Sequence, residues 1–420
     1  MPDAAVLSGR ADAPVASAVS RDERIFTGRR LLVVVFALVA LRAVFLIAAL
    51  PTDHSPRVSA YFTDGERYHR VANADGTPYR DHTVEYPPVT VAFIELVDGD
   101  DVRSTLWRLG VASFVLDLLV LAAIAYGFGR RAAVAYLVLS TPFVLLPFIY
   151  FRVDLLVVAL TMLGLALAKR NRQLAGGGLL ALAVFAKLWP LVVLPVLLVD
   201  GRRRAAVTAA IAGAVGAVAW FAVGGVVGFE QVLTFRGARG FQIESVAGGV
   251  TRWFTGEIPR SESGALRIGD VPFAATLALG VLMAFGVAWT WWRAWRSGVR
   301  SERLMYGVAP LTAVTIFMVC SPLLSPQFLV WIVPFGAIAW ACGERVLSGL
   351  VGLVVVATML LTQVYGPLND DLPVGHGALA FRNGLLLAIV VVGLWRVATE
   401  TRQAAVGVGA PTAALVHRRP

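Results

Sequence analysis

Lysine, cysteine and histidine are almost missing from this 420-residue chain. Lysine occurs only at Lys169 and Lys187, so nearly every cation is an arginine. Both cysteines, Cys320 and Cys342, lie in apolar runs, which excludes a disulfide framework. Charge is scarce: 15% of residues are Asp, Glu, Lys or Arg, against about 25% in soluble domains. What fills the space is 58% hydrophobic residues. That balance excludes a string of soluble domains and describes an all-α polytopic membrane protein.

Leu31–Leu50 is the first run long enough to cross a bilayer core. Further candidate spans are Thr105–Tyr126, Ala132–Tyr150, Val153–Ala168, Ala205–Val227, Val271–Trp292, Met305–Cys320, Phe328–Ala341, Val346–Tyr365 and Asn383–Trp395. Val89–Val97 is too short to span and reads as a surface helix. Leu174–Val199 lies between two basic clusters, Lys169–Arg172 and Arg202–Arg204, which belong on one side of a membrane. It must therefore go out and return. Pro190 is a natural break, so two short helices with a turn at Lys187–Pro190 are predicted. The total is about 12 transmembrane helices with both termini inside.

The net charge of +10 would suit a nucleic-acid binder, but its placement argues otherwise. On this topology 22 of the 37 basic residues fall in cytoplasmic segments and 18 of the 27 acidic residues in outer ones. That is the positive-inside asymmetry, and it explains the charge with no nucleic acid as partner. Two long polar loops, residues 51–104 and 228–270, then face outward. Residues 1–28 are expected to be a disordered cytoplasmic tail without a cleavable signal. Residues 29–398 form the membrane domain, and 399–420 a second cytoplasmic tail.

Polar chemistry concentrates between Asp64 and Pro88. Asp64 follows the first span and heads a group with Tyr68, His69, Arg70, Asp81 and Glu85. A carboxylate at a membrane interface can take a proton from a hydroxyl as its oxygen attacks; a solvated loop acid is the alternative. The stretches Asp64-x-x-x-Tyr68-His69-x-x-Ala72, Gly76-x-Pro78-Tyr79-x-Asp81 and Glu85-Tyr86-Pro87-Pro88 together resemble the first outer loop of glycosyltransferase family 87. Arg152-Val153-Asp154, Ala175-Gly176 with Lys187-Leu188-Trp189-Pro190, Arg239 through Ser245, and Ser325-Pro326-Gln327-Phe328-Leu329-Val330-Trp331 are similar to later stretches of that family, in the same order. One departure is Phe151-Arg152, where many relatives carry Gly-Gln before the fourth span.

The resemblance implies a GT-C fold and an integral-membrane glycosyltransferase. Its donor would be a polyprenyl-phosphate sugar, with mannose the expected sugar. Its acceptor would be a lipid-linked or cell-envelope glycan, reached on the outer face of the plasma membrane with inversion at the anomeric carbon. It implies Asp64 as the catalytic base and Tyr68, His69, Asp81, Glu85, Arg152, Gln242, Glu244 and Gln327 as substrate contacts. The leaving phosphate needs cations, and Arg42, Lys187, Arg239 and Arg252 are the candidates, with Arg152 and Arg236 also available. Arg42 and Lys187 lie in apolar runs, where a charge usually faces a polar interior; Arg42 could instead snorkel to outer headgroups, and Lys187 could simply sit at an interfacial turn. Asp117 reads as the partner of an arginine inside the bundle.

His69 and His82 match no compact zinc spacing. No metal and no cofactor is expected, although Asp64, Glu66 and Asp81 leave a divalent cation open. Trp291, Trp292 and Trp295 read as an interfacial aromatic belt. The rival function is a transporter or flippase of a lipid-linked sugar. Transporters often pair broken helices across two halves, and here Leu174–Val199 has no counterpart.

Overall fold

In the computed structural model the described residues are 29–50, 63–145, 148–234, 239–262, 265–270, 273–364, 368 and 372–408. The expected tail at 1–28, residues 51–62 of the first loop, Arg236 and residues 409–420 lie outside them. The described elements start with α1 (Arg29–Ala49), and the described part of the first polar loop holds α2 (Thr63–Ala72) and α3 (Pro88–Val97). Then come α4 (Val102–Phe128), α5 (Arg130–Leu145), a 3₁₀ turn at Phe148–Phe151, α6 (Asp154–Lys169) and α7 (Gln173–Ala186).

The expected reversal inside Leu174–Val199 is present. The helix α7 stops at Ala186, a 3₁₀ turn holds Trp189–Val192, and α8 covers Pro195–Val199. Pro190 and Pro195 supply no N–H to a continuing helix, so the chain turns where they sit. On the way out, α6 and α7 pack closely. A Cβ on Gly176 would fall 2.7 Å from the Gly164 carbonyl oxygen and from the Ala168 nitrogen, so glycine is required at that contact.

The second half runs through α9 (Arg203–Leu233), the polar loop, α11 (Phe273–Arg296), α12 (Ala309–Val319), α13 (Val333–Ala341), α14 (Arg345–Gln363) and α15 (Pro373–Val408). Gly225 breaks α9 with φ 61° and ψ −160°, a conformation that suits glycine alone. The loop before α11 departs from the all-α expectation. It holds α10 (Val246–Thr255) and a small antiparallel sheet of β1 (Phe241–Gln242), β2 (Arg260–Glu262) and β3 (Ala265–Ile268), in the order β1-β3-β2. Phe241 lies opposite Ile268, and Ser261 opposite Leu266. Strands this short carry no readable alternation.

Six helices among the described residues are long and apolar enough to cross a membrane: those within α1, α4, α9, α11, α14 and α15. Five shorter apolar helical segments accompany them, including Gln173–Ala186 and Trp189–Val199. The lipid-facing surface is plain on α9, where Val207, Ile211, Val215 and Val218 are all exposed, and on α11, where Leu277, Val281 and Phe285 are. Such a stripe is unfavourable in water and ordinary in a bilayer. The buried core lies instead among α4, α5, α6, α12, α13 and α14. The expected surface helix, α3, is half buried: Val91 and Ile94 face inward, and the Thr90 hydroxyl donates to the Ala186 carbonyl at 2.6 Å.

Two buried ionic knots bind the bundle. Arg42 on α1 pairs with Asp117 on α4 at 3.1 Å and donates to the Ser140 hydroxyl and Leu137 carbonyl of α5 at 2.6 and 3.0 Å. Tyr136 and Tyr150 donate to the same Asp117 carboxylate. At the end expected to be cytoplasmic, Glu344 is buried against Arg303 and Arg396. The expected tryptophan belt is divided. Trp292 and Trp295 are exposed, but Trp291 is buried and donates to the Val192 carbonyl at 2.8 Å.

Candidate active site

A cavity of about 1060 Å³ opens among the first polar loop, the α7–α8 turn, the β1–α10 segment and the Ser321–Trp331 stretch. The carboxylate that the sequence singles out is on its wall. Asp64 sits in the first turn of α2, where an acid is favoured by the helix dipole. Arg67 stands one turn later, 3.5 Å from Asp64 and 2.9 Å from Glu85. The Arg152 guanidinium pairs with the other Asp64 oxygen. Burial opposes the charge on Arg67, yet Tyr86 and Glu85 outweigh it and raise its pKa. Burial also pushes the Tyr68 and Tyr86 phenols up, so both stay neutral hydrogen-bond donors.

A second part of the wall is cationic and aromatic. The end of α7 at Ala186 brings the Lys187 ammonium 2.7 Å from Asp154 and over the rings of Phe328 and Trp331, at 4.2 and 4.8 Å. Trp331 donates to the same Asp154 oxygen at 2.8 Å and stacks on Trp189 with centroids 5.5 Å apart. The rings and Asp154 together hold the ammonium in place, which suits a charge that must meet an anion.

The third part is the turn after β1. Gln242 receives a bond from the Leu324 amide at 3.1 Å and its side-chain amide donates to Glu244. Arg382 on α15 donates to the Glu244 carbonyl at 2.7 Å. Burial pushes the Glu244 carboxyl up to about 7, against the opposing pull of Arg382, Gln242 and Arg152.

Of the residues proposed from sequence, Asp64, Tyr68, Glu85, Arg152, Lys187, Gln242, Glu244 and Gln327 line this cavity. Five do not. Arg42 is fully buried in the knot with Asp117, with no exposure through which to snorkel or to meet a phosphate. His69 turns to Asp98 at 2.8 Å. Asp81 accepts from the Thr77 amide at 2.5 Å and closes a turn of its own loop. Arg239 is exposed beside the sheet, and Arg252 lies half exposed on α10.

Arg67 went unassigned in the sequence. Its signal was its place three residues after Asp64, one turn along the same helix face. Trp189, Phe328 and Trp331 stand in stretches that carry the family resemblance but had no role assigned, and they too line the cavity. No three His, Cys, Asp or Glu side chains among the described residues converge as metal ligands. Chemically, the arrangement offers a carboxylate to accept a proton, cations to meet an anion, and flat rings beside them.

The profile described as Glycosyltransferase family 87 matches residues 85–322, more than half of the chain. That stretch includes Glu85, Arg152, Lys187, Gln242 and Glu244; Asp64 lies before it and Gln327 after it. No curated protein matches the chain.

Proposed function

Because the chain belongs to glycosyltransferase family 87 and carries apolar helices that can cross a membrane, it is a membrane glycosyltransferase, and we propose that it takes its sugar from a polyprenyl phosphate. The single observation that carries this proposal is the joint placement of Asp64, Arg152 and Lys187 on one cavity that also reaches lipid-facing helices. Leu233 of α9 and Thr276, Gly280 and Met283 of α11 line its apolar side. A donor with a phosphate head and a hydrocarbon tail has both needs met there.

In the proposed reaction an acceptor hydroxyl oxygen attacks the anomeric carbon as the bond from that carbon to the phosphate oxygen breaks. The hydroxyl proton goes to Asp64, and polyprenyl phosphate leaves with its charge facing Lys187 and Arg152. The configuration inverts. Asp64, the proton acceptor of this proposal, is held in place by two guanidiniums, Arg67 and Arg152. Mannose as the sugar, a lipid-linked or envelope glycan as the acceptor, a GT-C fold of about 12 crossings and an outer-face site in the plasma membrane complete the proposal. The charge asymmetry of the loops supports that orientation.

The test is transfer by purified protein from radiolabelled polyprenyl phosphate mannose or its arabinofuranose counterpart to a glycolipid fraction. A new glycosidic product from the mannosyl donor is expected. Movement of intact donor across vesicles with no new glycosidic bond would instead identify a flippase.

A further inference from the structure

The polar atoms of cavity-lining residues that have no hydrogen-bond partner among the described residues include Nε of Arg152, Nε1 of Trp189 and Oε1 of Glu244. The Glu244 oxygen is the most demanding of the three. Its residue is 6% exposed, and a buried carboxylate is costly unless something donates to it.

The chain nevertheless fixes this group firmly. Arg382 holds the Glu244 carbonyl, and the Asn383 side chain donates to the Ser245 carbonyl at 3.3 Å. Ser245 caps α10 by accepting from the Gly248 amide at 2.9 Å. A Cβ on Gly248 would fall 2.1 Å from the Gln242 carbonyl oxygen, so the turn has no slack. One carboxylate oxygen is occupied by Gln242. The other is buried with no donor among the described residues, on a residue that lines the cavity.

In its ionised form, above about pH 7, this oxygen only accepts, so its missing partner there is a donor. A second cation is disfavoured, because Arg152 and Arg382 already flank the group electrostatically. In a cavity that takes a sugar, the donor left is a hydroxyl. We infer that Glu244 Oε1 accepts the hydrogen of one sugar hydroxyl and so selects substrates by the position of that hydroxyl. The inference rests on the glycosyltransferase site proposed above. Arg152 links the two carboxylates, pairing with Asp64 and interacting with Glu244, so the hydroxyl is held close to the reacting centre. It can belong to the donor sugar or to the acceptor.

The experiment measures binding, with Asp64→Asn as a non-turnover background. Polyprenyl phosphate mannose and octyl mannoside are the parent probes, each compared with its monodeoxy analogues. One analogue should bind roughly 10- to 100-fold more weakly than its parent, the size of a hydrogen bond to a charged group. That difference should vanish in Asp64→Asn/Glu244→Ala. Loss among the donor analogues places the hydroxyl on the donor sugar; loss among the octyl mannosides places it on the acceptor. Glu244→Gln provides the same comparison if the alanine variant does not fold, with the discrimination reduced rather than abolished. If Glu244 substitution weakens all analogues equally, the group is structural and the inference is wrong. If the wild-type protein transfers sugar while no analogue is discriminated, the inference alone falls. If it neither binds nor transfers from these donors, the proposed function falls and takes the inference with it.

Discussion

At Arg42 both oxygens of its carboxylate partner are answered; at Arg152 and Glu244 single atoms are left waiting. The two regions use the same residue types. Arg42 meets Asp117, and Tyr136, Tyr150 and Ser140 complete the set. Nothing there lacks a partner among the described residues, and the cavity of the candidate site is not lined by it. Around Arg152 and Glu244 the polar groups are less tightly closed, with an atom of each lacking a partner among the described residues, and both residues line a large cavity. A closed polar knot is how helices are locked together, whereas an open one is how a ligand is received.

The largest effect should come from opening the closed knot. Asp117→Ala leaves the Arg42 charge buried and unanswered, and such a break costs about 3–5 kcal/mol. The variant should lose most of its thermal stability in detergent. Arg42→Met with Asp117→Leu removes both charges and should recover much of it, since an apolar pair often replaces a buried ion pair at little cost. Donor KM should be unchanged in that double variant. A raised donor KM would return Arg42 to the site.

A smaller effect is expected at Lys187. Losing one charge-assisted contact to the donor phosphate should raise donor KM roughly 10- to 100-fold in Lys187→Met. Because Asp154 then loses its cation partner, Lys187→Met should be measured beside Lys187→Arg, which keeps the pair with Asp154. Unchanged donor saturation in both variants would leave the phosphate to Arg152.

The smallest effect is a pH dependence of stability at Glu244. Burial, outweighing Arg382, Gln242 and Arg152, raises its carboxyl from 4.5 to about 7. The unfolded chain therefore releases this proton first as pH rises. Wild-type stability is full below about 4.5 and falls through the window up to about 7. Glu244→Gln cannot ionise, so it should match wild type at pH 4.5. At pH 8 it should melt roughly 2–4 °C higher. Equal melting points at both pH values would mean that this carboxyl is not desolvated.

The same contrast marks what was legible in the sequence. The helical frame could be read because apolar runs of bilayer length leave little choice. The reversal at Lys187–Pro190 could be read because two basic clusters bracket it and a proline sits at its middle. Asp64 stood out as a loop carboxylate in a crowded motif. Arg42 did not declare its role, since its partner Asp117 is 75 residues away and pairing at that distance leaves no local trace. The three-stranded sheet was hidden for a similar reason: strands of two to four residues have too little pattern, and tertiary contacts define them. Arg382 was placed just outside the last span, at Asn383–Trp395. The helix α15 begins at Pro373 instead, and buries Arg382 behind Glu244.

The contrast also narrows the choice of catalytic base. Asp81 is used by its own turn, and Glu85 is held by Arg67. Glu244 is the carboxylate that competes with Asp64, because it shares the cavity and has an oxygen to spare. The decisive measurement is single-turnover transfer by Asp64→Asn and Glu244→Gln, each with the donor saturating and with folding checked by thermal melt. General-base help is typically worth about 10²–10⁴ in rate. Asp64→Asn should lose that factor in the chemical step while binding donor nearly as well as wild type, and Glu244→Gln should lose much less. If Asp64→Asn transfers at near wild-type rate while Glu244→Gln is inert, the proton goes to Glu244 and Asp64 is not the base.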